Sequence, residues 1–348
     1  MLDPNAAVKP ETAGFPHSLI SWLRLHQEKL WWLHSFYALL LGVGFMWLGE
    51  RNFAYLRIAV FHIGFIWLSS FMLPRLLKQS RLSKRWASRL RLVVNFFNKN
   101  LYQQMLFFVL PIYYASATAD SLNICFVVLI GVSAVLSTAD IIYDRHLSVR
   151  RNLTAAFFAF NLFVLINVML PIVWSVSNTV TTRVGGALAF LGFLTLSDPP
   201  AQSSVRRLAG ALGVALLVLG LVELGRPLIP PAPLRIAGVQ VGADFDRELL
   251  QIASPMISLT PPGPLRLYGL TAIKAPLGLQ ERLQHRWYQN GKLLCASPFY
   301  NMVGGREEGF RLWTSCVLTA VPSKTTVRLD LKTEGGQLIG RTKLKASP

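Results

Sequence analysis

Long apolar runs follow one another from residue 31 to residue 225. Seven of them approach the length of about 20 residues that a helix needs to cross a bilayer. The third run contains Pro111 and the sixth is rich in glycine, and both residue types are tolerated in spanning helices because neighbouring helices satisfy the freed backbone groups. The pattern therefore predicts an α-helical membrane bundle of about seven transmembrane helices over 31–225. The predicted spans are 31–49, 54–73, 102–118, 122–142, 153–176, 180–197 and 208–225.

After residue 225 the pattern changes to short segments of alternating polarity. The proline-rich segment 226–263 predicts an extended, exported linker. Beyond it, residues 264–348 hold five or six runs of strand length separated by turn residues. That arrangement is typical of a small β-sandwich or barrel. We therefore expect a C-terminal all-β sandwich-like domain over 264–348, and a cytoplasmic N-terminal segment 1–30 ahead of the helices.

Two tight turns fix the register that we expect between the strands. Asn290-Gly291 lies between two strand-like runs and is typical of a type I′ hairpin, because both central residues of that turn need a positive φ. A second turn is expected at Gly335-Gly336. The predicted partners are Gln289 with Lys292, Trp287 with Leu294, and Asp330 with Arg341.

Charged residues are few and unevenly distributed. The chain is 52% hydrophobic and 15% charged, with a net charge of +18. All charged side chains of 74–100 are Lys or Arg, and the loops after the fourth and sixth runs are also basic, whereas the alternate loops are nearly free of Lys and Arg. Because basic loops remain in the cytoplasm, the pattern predicts a multi-pass protein with a cytoplasmic N-terminus and an exported C-terminal domain. The charge is explained without a nucleic-acid partner.

Three stretches carry a resemblance to a known family: "HRWYQNG" from His285, "GFRLWT" from Gly309 and "GQLIGR" from Gly336. They resemble a bacterial domain of unknown function often found at the C-terminus of multi-spanning inner-membrane proteins, and the whole chain resembles such proteins. The motif part covers 264–345. Where the family has a Gly-x-Trp before its fifth strand, this chain has "PSKTTVRLD". The resemblance implies a periplasmic β-domain on a bacterial inner-membrane protein and supplies no reaction.

The most distinctive side chains of the predicted β-domain form the first candidate site, a binding patch of His285, Trp287, Arg311 and Trp313. Alternation puts the first two on one strand face and the last two on one face of another strand. They either form an aromatic and cationic patch for a glycan, a lipid headgroup or a partner protein, or they are two core tryptophans with a polar pair on the rim. We expect both tryptophans in the core and Arg311 in contact with a ligand.

Ionisable residues inside the predicted spans form the second candidate site. They either line a cavity for a polar substrate or neutralise one another while Arg57 snorkels toward the interface. The first alternative would make the chain a transporter or a lipid- or glycan-handling protein, with the bundle as its working part. The residues are Glu50, Arg57, His62 and Glu223, with Asn161 and Asn167 in the fifth run.

The basic stretch "RLLKQSRLSKRWASRLRLVV" repeats apolar residues at helical spacing, with Lys and Arg between them. Such a helix lies on a membrane surface and attracts anionic lipid headgroups. We expect those headgroups to contact Arg81, Lys84, Arg85, Arg89 and Arg91, in addition to the role of this loop in fixing the topology.

The cysteines and paired aspartates give little indication of metal or cofactor chemistry. No CxxC pair is present. Cys295 and Cys316 either form a disulfide in an oxidising compartment or remain as buried thiols. Asp140 and Asp144 share a helix face at a spacing that suits a divalent ion, but the upstream elements of the membrane alcohol-phosphotransferases are missing. We expect no metal and no cofactor.

The sequence is best interpreted as an integral inner-membrane protein that presents a periplasmic β-domain, a binding or assembly module of the cell envelope. It contains no nucleotide-binding loop, no Gly-x-Ser-x-Gly elbow and no His-Glu-x-x-His motif, so an enzyme is not expected. The expected partners are membrane lipids and an envelope protein or glycan, and no nucleic acid.

Overall fold

The structure, a computed structural model, consists of a helical region followed by a β-rich region. It describes residues 102–139, 149–197, 204–259, 264–319, 321–322 and 324–346, together with Phe36, Leu40, Leu68 and Met72. The predicted spans 31–49 and 54–73, apart from those four residues, lie outside the described part, as does the basic stretch 74–100. The described helices are α1 (102–115), α2 (Ile124–Thr138), α3 (Arg151–Trp174), α4 (Asn178–Leu196) and α5 (Ser204–Gly225).

The predicted bundle of seven transmembrane helices is wrong. The described residues contain five helices, and of these α3 and α4 are the two found to be long and apolar enough to cross a membrane. Helix α2 has 15 residues, or about 22 Å, short of the roughly 30 Å of a hydrocarbon core. Its predicted run, 122–142, is longer because hydropathy does not mark where a helix ends.

Helix α2 begins late because the chain turns tightly ahead of it. The Asn123 side-chain oxygen accepts a hydrogen bond from the Thr118 backbone N–H at 3.1 Å, and the Asn123 Nδ2 group donates to the Leu338 carbonyl at 3.1 Å. Asn123 is fully buried. The residues between α1 and α2 are therefore committed to a turn.

The helical core lies around α1 and α3, and α4 packs closely on α3. Phe158 and Val164 of α3 are fully buried, and Tyr113 of α1 donates its hydroxyl to the Val164 carbonyl at 2.9 Å. A Cβ at Gly192 of α4 would lie 2.7 Å from the Phe158 ring, so the contact between these helices requires a glycine there. The predicted spans 153–176 and 180–197 match α3 and α4 to within about two residues.

The described residues of the β-rich region form eleven strands in three sheets. The smaller sheet has the order β1-β5-β9, and the larger has the order β4-β11-β10-β6-β7 with β8 also paired to β6; β2 and β3 form a short hairpin. The strands are β1 (Arg235–Gly242), β2 (Phe245–Asp246), β3 (Gln251–Ile252), β4 (Ser258–Leu259), β5 (Leu265–Lys274), β6 (Gln280–Gln289), β7 (Lys292–Ala296), β8 (Tyr300–Val303), β9 (Phe310–Leu318), β10 (Thr326–Thr333) and β11 (Leu338–Ala346).

The smaller and larger sheets pack face to face, with Trp287 near the centre of the core between them. Trp287 of β6 is 2% exposed and clusters with buried residues of both sheets. A Cβ at Gly269 of β5 would lie 2.8 Å from the Trp287 ring and 2.5 Å from Leu329, so this position must lack a side chain. The expected sandwich-like packing is therefore present in the β-rich region.

The first strand lies within the segment that was predicted to be a linker. β1 pairs antiparallel with β5 along its length, so the sandwich begins at Arg235 and not at residue 264. The proline-rich residues before it are packed: Ile229, Ala232 and Leu234 are buried. The prolines therefore give a short, anchored connection between α5 and the sandwich.

A β-bulge brings Cys295 into the core. Gln289 faces Lys292, as expected. A register shift after Trp287, however, places Trp287 opposite Cys295 and not opposite Leu294. Residues opposite each other on paired strands share a face, so Cys295 lies on the Trp287 side. There it forms a disulfide with Cys316 of β9, with the Cα atoms 6.4 Å apart. The bond therefore joins the two facing sheets.

The disulfide should make a large contribution to the stability of the sandwich. It closes a loop with a sequence separation of 21 residues, which corresponds to about 3 kcal/mol. We expect reductant to lower the urea midpoint of the β-region in the full-length protein, measured by pulse proteolysis. Cys295→Ala/Cys316→Ala should be destabilised and insensitive to reductant, whereas Cys125→Ala should behave like the parent. A parent protein that is equally stable with and without reductant would contradict the cross-sheet bond.

Candidate functional site

His285 lies inside the sandwich, on the core face of β6. It has no exposed surface. Its Nδ1 atom lies 2.8 Å from the Thr314 Oγ1 atom, and its Nε2 atom lies 3.0 Å from the Thr271 Oγ1 atom. Burial lowers the pKa of His285 from 6.5 to about 3, because a charged imidazole would lose its hydration in the core. The ring is therefore neutral near pH 7.

A directed chain of hydrogen bonds holds this imidazole. The Trp287 Nε1–H group, which can only donate, reaches the Thr314 Oγ1 atom at 3.1 Å. That hydroxyl can then donate to the His285 Nδ1 atom, which leaves the proton on Nε2. The Nε2–H group donates to Thr271, whose hydroxyl is 3.4 Å from the Leu312 carbonyl oxygen. Every buried donor in this hydrogen-bond network has an acceptor, so the network stabilises one arrangement of the core.

Arg311 and Trp313 lie on the opposite, outward face of the smaller sheet. The Trp313 ring stacks on Phe245, with centroids 4.7 Å apart, and Phe245 also stacks on Tyr268. The Arg247 guanidinium lies 5.7 Å from the Trp313 centroid. Trp313 was predicted to lie in the core, and this is wrong. It is half-buried under the β2–β3 hairpin. Arg311 is exposed and pairs with Glu308 at 2.8 Å.

The predicted patch of four residues is thus divided by the thickness of the sandwich. His285 and Trp287 are buried between the sheets, where no ligand reaches them, while Arg311 and Trp313 face outward. The expectation that Trp287 is a core residue is confirmed.

The outward face of the larger sheet is strongly basic, although none of its residues was among the predicted site residues. At its centre Asp330 of β10 is fully buried beneath its neighbours. Arg341 of β11 donates two hydrogen bonds to its carboxylate, at 2.7 and 3.0 Å, and the Arg328 Nε atom lies 3.3 Å from it. The predicted pairing of Asp330 with Arg341 is confirmed. We define the basic face as the outward side chains of Arg282, Arg286, Arg328, Lys332, Arg341, Lys343 and Lys345.

The basic face had a signal in the sequence. Outward positions alternate with core positions along β6, β10 and β11, as in "RLQHRWY", "RLDLK" and "RTKLK". Arg or Lys occupies seven of the ten outward positions in these three stretches. The signal can be recognised only when the order of the strands is known, because β6 and β11 flank β10 only in the folded sheet.

The base of the sandwich rests on the ends of the helices. The Glu281 carboxylate accepts hydrogen bonds from the Asn178 backbone N–H at 2.8 Å and from its side-chain Nδ2 group at 3.2 Å. Asn178 is the first residue of α4, whose N-terminus favours an anion. Burial raises the pKa of the Glu281 carboxyl, and the bonds from Asn178 offset part of this rise. A carboxylate of the sandwich therefore caps a helix.

Further contacts join the same two regions. The Gln337 side chain donates to the Ile229 carbonyl at 3.0 Å. The loop between α1 and α2 contributes Asp120, whose carboxylate is 2.5 Å from the Lys343 ammonium and whose backbone carbonyl accepts from Arg341 at 3.1 Å. We call these contacts, with those of Glu281 and Asn123, the helix–sandwich junction.

The second candidate site is described only in part. Glu50, Arg57 and His62 lie outside the described residues, as do Asp140 and Asp144 and the predicted lipid contacts Arg81, Lys84, Arg85, Arg89 and Arg91. Glu223 forms ion pairs with Arg183 and Arg226. Asn161 and Asn167 donate to carbonyls one turn earlier in α3. In the described part of the chain, no group of three potential metal ligands is found.

These observations define a class of protein in which several apolar helices carry a disulfide-linked β-sandwich on their ends. The chain belongs to a family of unknown function (DUF5924), whose model matches residues 15–270. The prediction of an uncharacterised family is therefore confirmed. The match includes the described helices and extends into β5, so the strand motifs that begin at His285, Gly309 and Gly336 lie beyond it. No curated protein matches the chain.

The buried network predicts unequal effects for two neighbouring substitutions in β9. Thr314→Val should lower the free energy of unfolding by about 2 to 4 kcal/mol, since His285 and Trp287 each lose a buried hydrogen-bond partner. Ser315→Ala, at the next and exposed position, should cost less than about 0.5 kcal/mol. Urea unfolding of the full-length variants measures both, and equal costs would contradict the network.

His285 also predicts a pH dependence of stability. The pKa of His285 in the folded state, about 3, is below the ordinary histidine value of 6.5. Between pH 3 and pH 6.5 the unfolded state therefore binds more protons than the folded state. Stability is then complete above pH 6.5 and falls as the pH drops toward 3, by at most about 1.4 kcal/mol per pH unit. Glu281, with a raised pKa, has the opposite sign. The test is the difference in urea midpoints between the parent and His285→Gln across this range, and parallel curves would contradict it.

Proposed function

We propose that this chain is a multi-pass protein of a bacterial inner membrane that holds its β-sandwich on the periplasmic side as a binding or assembly module. The N-terminus would lie in the cytoplasm and the described helices within the bilayer. The sandwich would then present its outward faces to other components of the envelope.

The helix–sandwich junction is the observation that carries this proposal. Its contacts involve the connection between α1 and α2, the start of α4, and the residues that follow α5. In a layer of successive antiparallel helices, these helix ends all lie on the same side. Asp120 and Asn178 lie in or next to the connections that are poor in Lys and Arg, which the charge pattern predicts to be exported. One side of the helical layer thus carries the whole sandwich.

The opposite end of the helices gives independent support. The Arg151 Nε–H group donates to the Leu196 carbonyl at 2.8 Å, so the start of α3 and the end of α4 lie together. The residues around Arg150 and Arg151 belong to the loops whose basic character predicts a cytoplasmic position. The charge pattern and the helix contacts therefore favour the same orientation.

The disulfide supports an exported sandwich on chemical grounds. Disulfides persist in oxidising compartments and are rare in the cytosol. The bond between Cys295 and Cys316 lies in the core beside Trp287, so it is part of the fold. A bacterial protein that depends on such a bond folds better in the periplasm than in the cytoplasm.

A binding role is favoured by the division of polar groups in the sandwich. The distinctive His285 network is buried and internally hydrogen-bonded, so it stabilises the core. Cations predominate among the charged groups of the sandwich, since residues 226–346 contain sixteen Lys and Arg against eight Asp and Glu. Surfaces of this kind attract and orient charged partners.

Two reporter fusions test the orientation. Alkaline phosphatase, which is active only outside the cytoplasm, should be active when it is fused after Pro348. The same reporter fused after Ser197, at the other end of α4, should be inactive. Green fluorescent protein, which fluoresces only when it folds in the cytoplasm, should give the reverse pattern. A fluorescent, phosphatase-negative C-terminus would overturn the proposal.

A further inference from the structure

We propose that the basic face binds an acidic polypeptide segment of a partner protein, with carboxylates on alternate residues of an extended strand. This inference names the partner class for the binding module and rests on that proposed function. Its basis is the charge, the rigidity and the spacing of the outward side chains of β6, β10 and β11.

The positive charge of the basic face exceeds what its own carboxylates neutralise. The face has seven Lys and Arg side chains, and its described ion pairs use three carboxylates, those of Asp120, Asp330 and Glu334. Within the described residues, no carboxylate forms an ion pair with Arg286, Lys332 or Lys345. The excess positive charge requires an anionic partner or solvent ions.

Two arginines of the face are held in place with their terminal nitrogens free to bind. Arg286 donates through its Nε–H group to the Gln284 side chain at 2.8 Å. The Arg328 guanidinium lies 4.1 Å from the centroid of the Tyr288 ring. Fixing a guanidinium in advance reduces the entropy that binding would cost. Their remaining N–H groups suit carboxylates, which accept two such bonds at once.

The spacing of the cations matches an extended peptide. Outward side chains on one strand repeat every second residue, about 6.7 Å, and adjacent strands lie about 4.8 Å apart. On β11, Arg341, Lys343 and Lys345 follow this spacing, whereas Arg328 and Lys332 on β10 lie at twice this spacing, with Asp330 between them. Carboxylates on alternate residues of an extended segment repeat at the same distance. A segment along β11 would therefore meet one cation for each outward carboxylate.

The orientation of the face disfavours a lipid surface. Glu281, at one end of β6, contacts the first residue of α4. Gln289, at the other end, is about 27 Å away along the strand. The face therefore rises from the helix ends, and under the proposed function only its base would reach headgroups.

The surroundings of Tyr288 disfavour a glycan that would stack on its ring and favour a protein partner. Tyr288 has Arg328 over its ring. Leu293, opposite Tyr288 on β7, is 55% exposed. Tyrosine, arginine and an exposed apolar residue are a combination that protein interfaces favour.

Binding can be measured with a defined probe. We would titrate the full-length protein, in nanodiscs of phosphatidylcholine, with fluorescent poly-L-glutamate of about 20 residues, a length that spans the sheet. The parent should bind, and binding should weaken as salt is added. Arg286→Gln/Arg328→Gln should bind about tenfold more weakly, the loss that removal of one or two charge-assisted bonds predicts.

The matched control removes the same charge from the other sheet. Arg235 and Lys274 are neighbours on β1 and β5, on the outward face of the smaller sheet. Arg235→Gln/Lys274→Gln should bind within about twofold of the parent, because the net charge alone is not what binds. A second variant, Lys332→Gln/Lys345→Gln, should also bind more weakly and alters no described ion pair.

Several results would overturn the inference. These are no binding by the parent, unchanged binding by Arg286→Gln/Arg328→Gln and Lys332→Gln/Lys345→Gln, or equal weakening in the control. Tighter binding of polygalacturonate or of phosphatidylglycerol vesicles, lost in the same variants, would replace the polypeptide by a glycan or a lipid surface. Nanodiscs expose both membrane sides, so this result is independent of the reporter fusions that test the proposed function.

Discussion

The closure of the two sheets around Trp287 is the contact on which the rest of the sandwich depends. Gly269 leaves space for the indole ring, and Thr314 on the opposite sheet accepts its N–H group. The disulfide of Cys295 and Cys316 joins the sheets beside the ring. A hydrophobic contact, a buried hydrogen bond and a covalent bond thus fix the same two surfaces. Because the sheets are fixed, so is the face from which each outward side chain projects.

The helix–sandwich junction transmits that rigidity to the helices. Glu281 caps α4, Asn123 binds the start of β11, and Gln337 binds the chain that leaves α5. Polar contacts to three different parts of the helical layer leave the sandwich little freedom to rotate. Under the proposed function the basic face would therefore have a defined height and direction above the bilayer.

The two polar clusters of the sandwich have opposite roles because their burial differs. His285 is surrounded by partners and excluded from water, so its hydrogen bonds specify the core and its charge is suppressed. Arg286 is held by Gln284, and Arg328 by Tyr288 and Asp330, and both keep free donors at the surface. A side chain that the fold has fully satisfied stabilises the protein, and one that is fixed but only partly satisfied can bind another molecule.

The sequence by itself determined the type and approximate limits of most described elements. Apolar runs located α3 and α4, and turn residues located the hairpins and set Asp330 opposite Arg341. These features depend on local periodicity and turn geometry. Only the tertiary structure decided the limits of α2, the burial of His285, the bulge at Trp287 and the cross-sheet disulfide. Each depends on residues distant in sequence, and a single inserted residue at a bulge moves a side chain to the other face of a sheet.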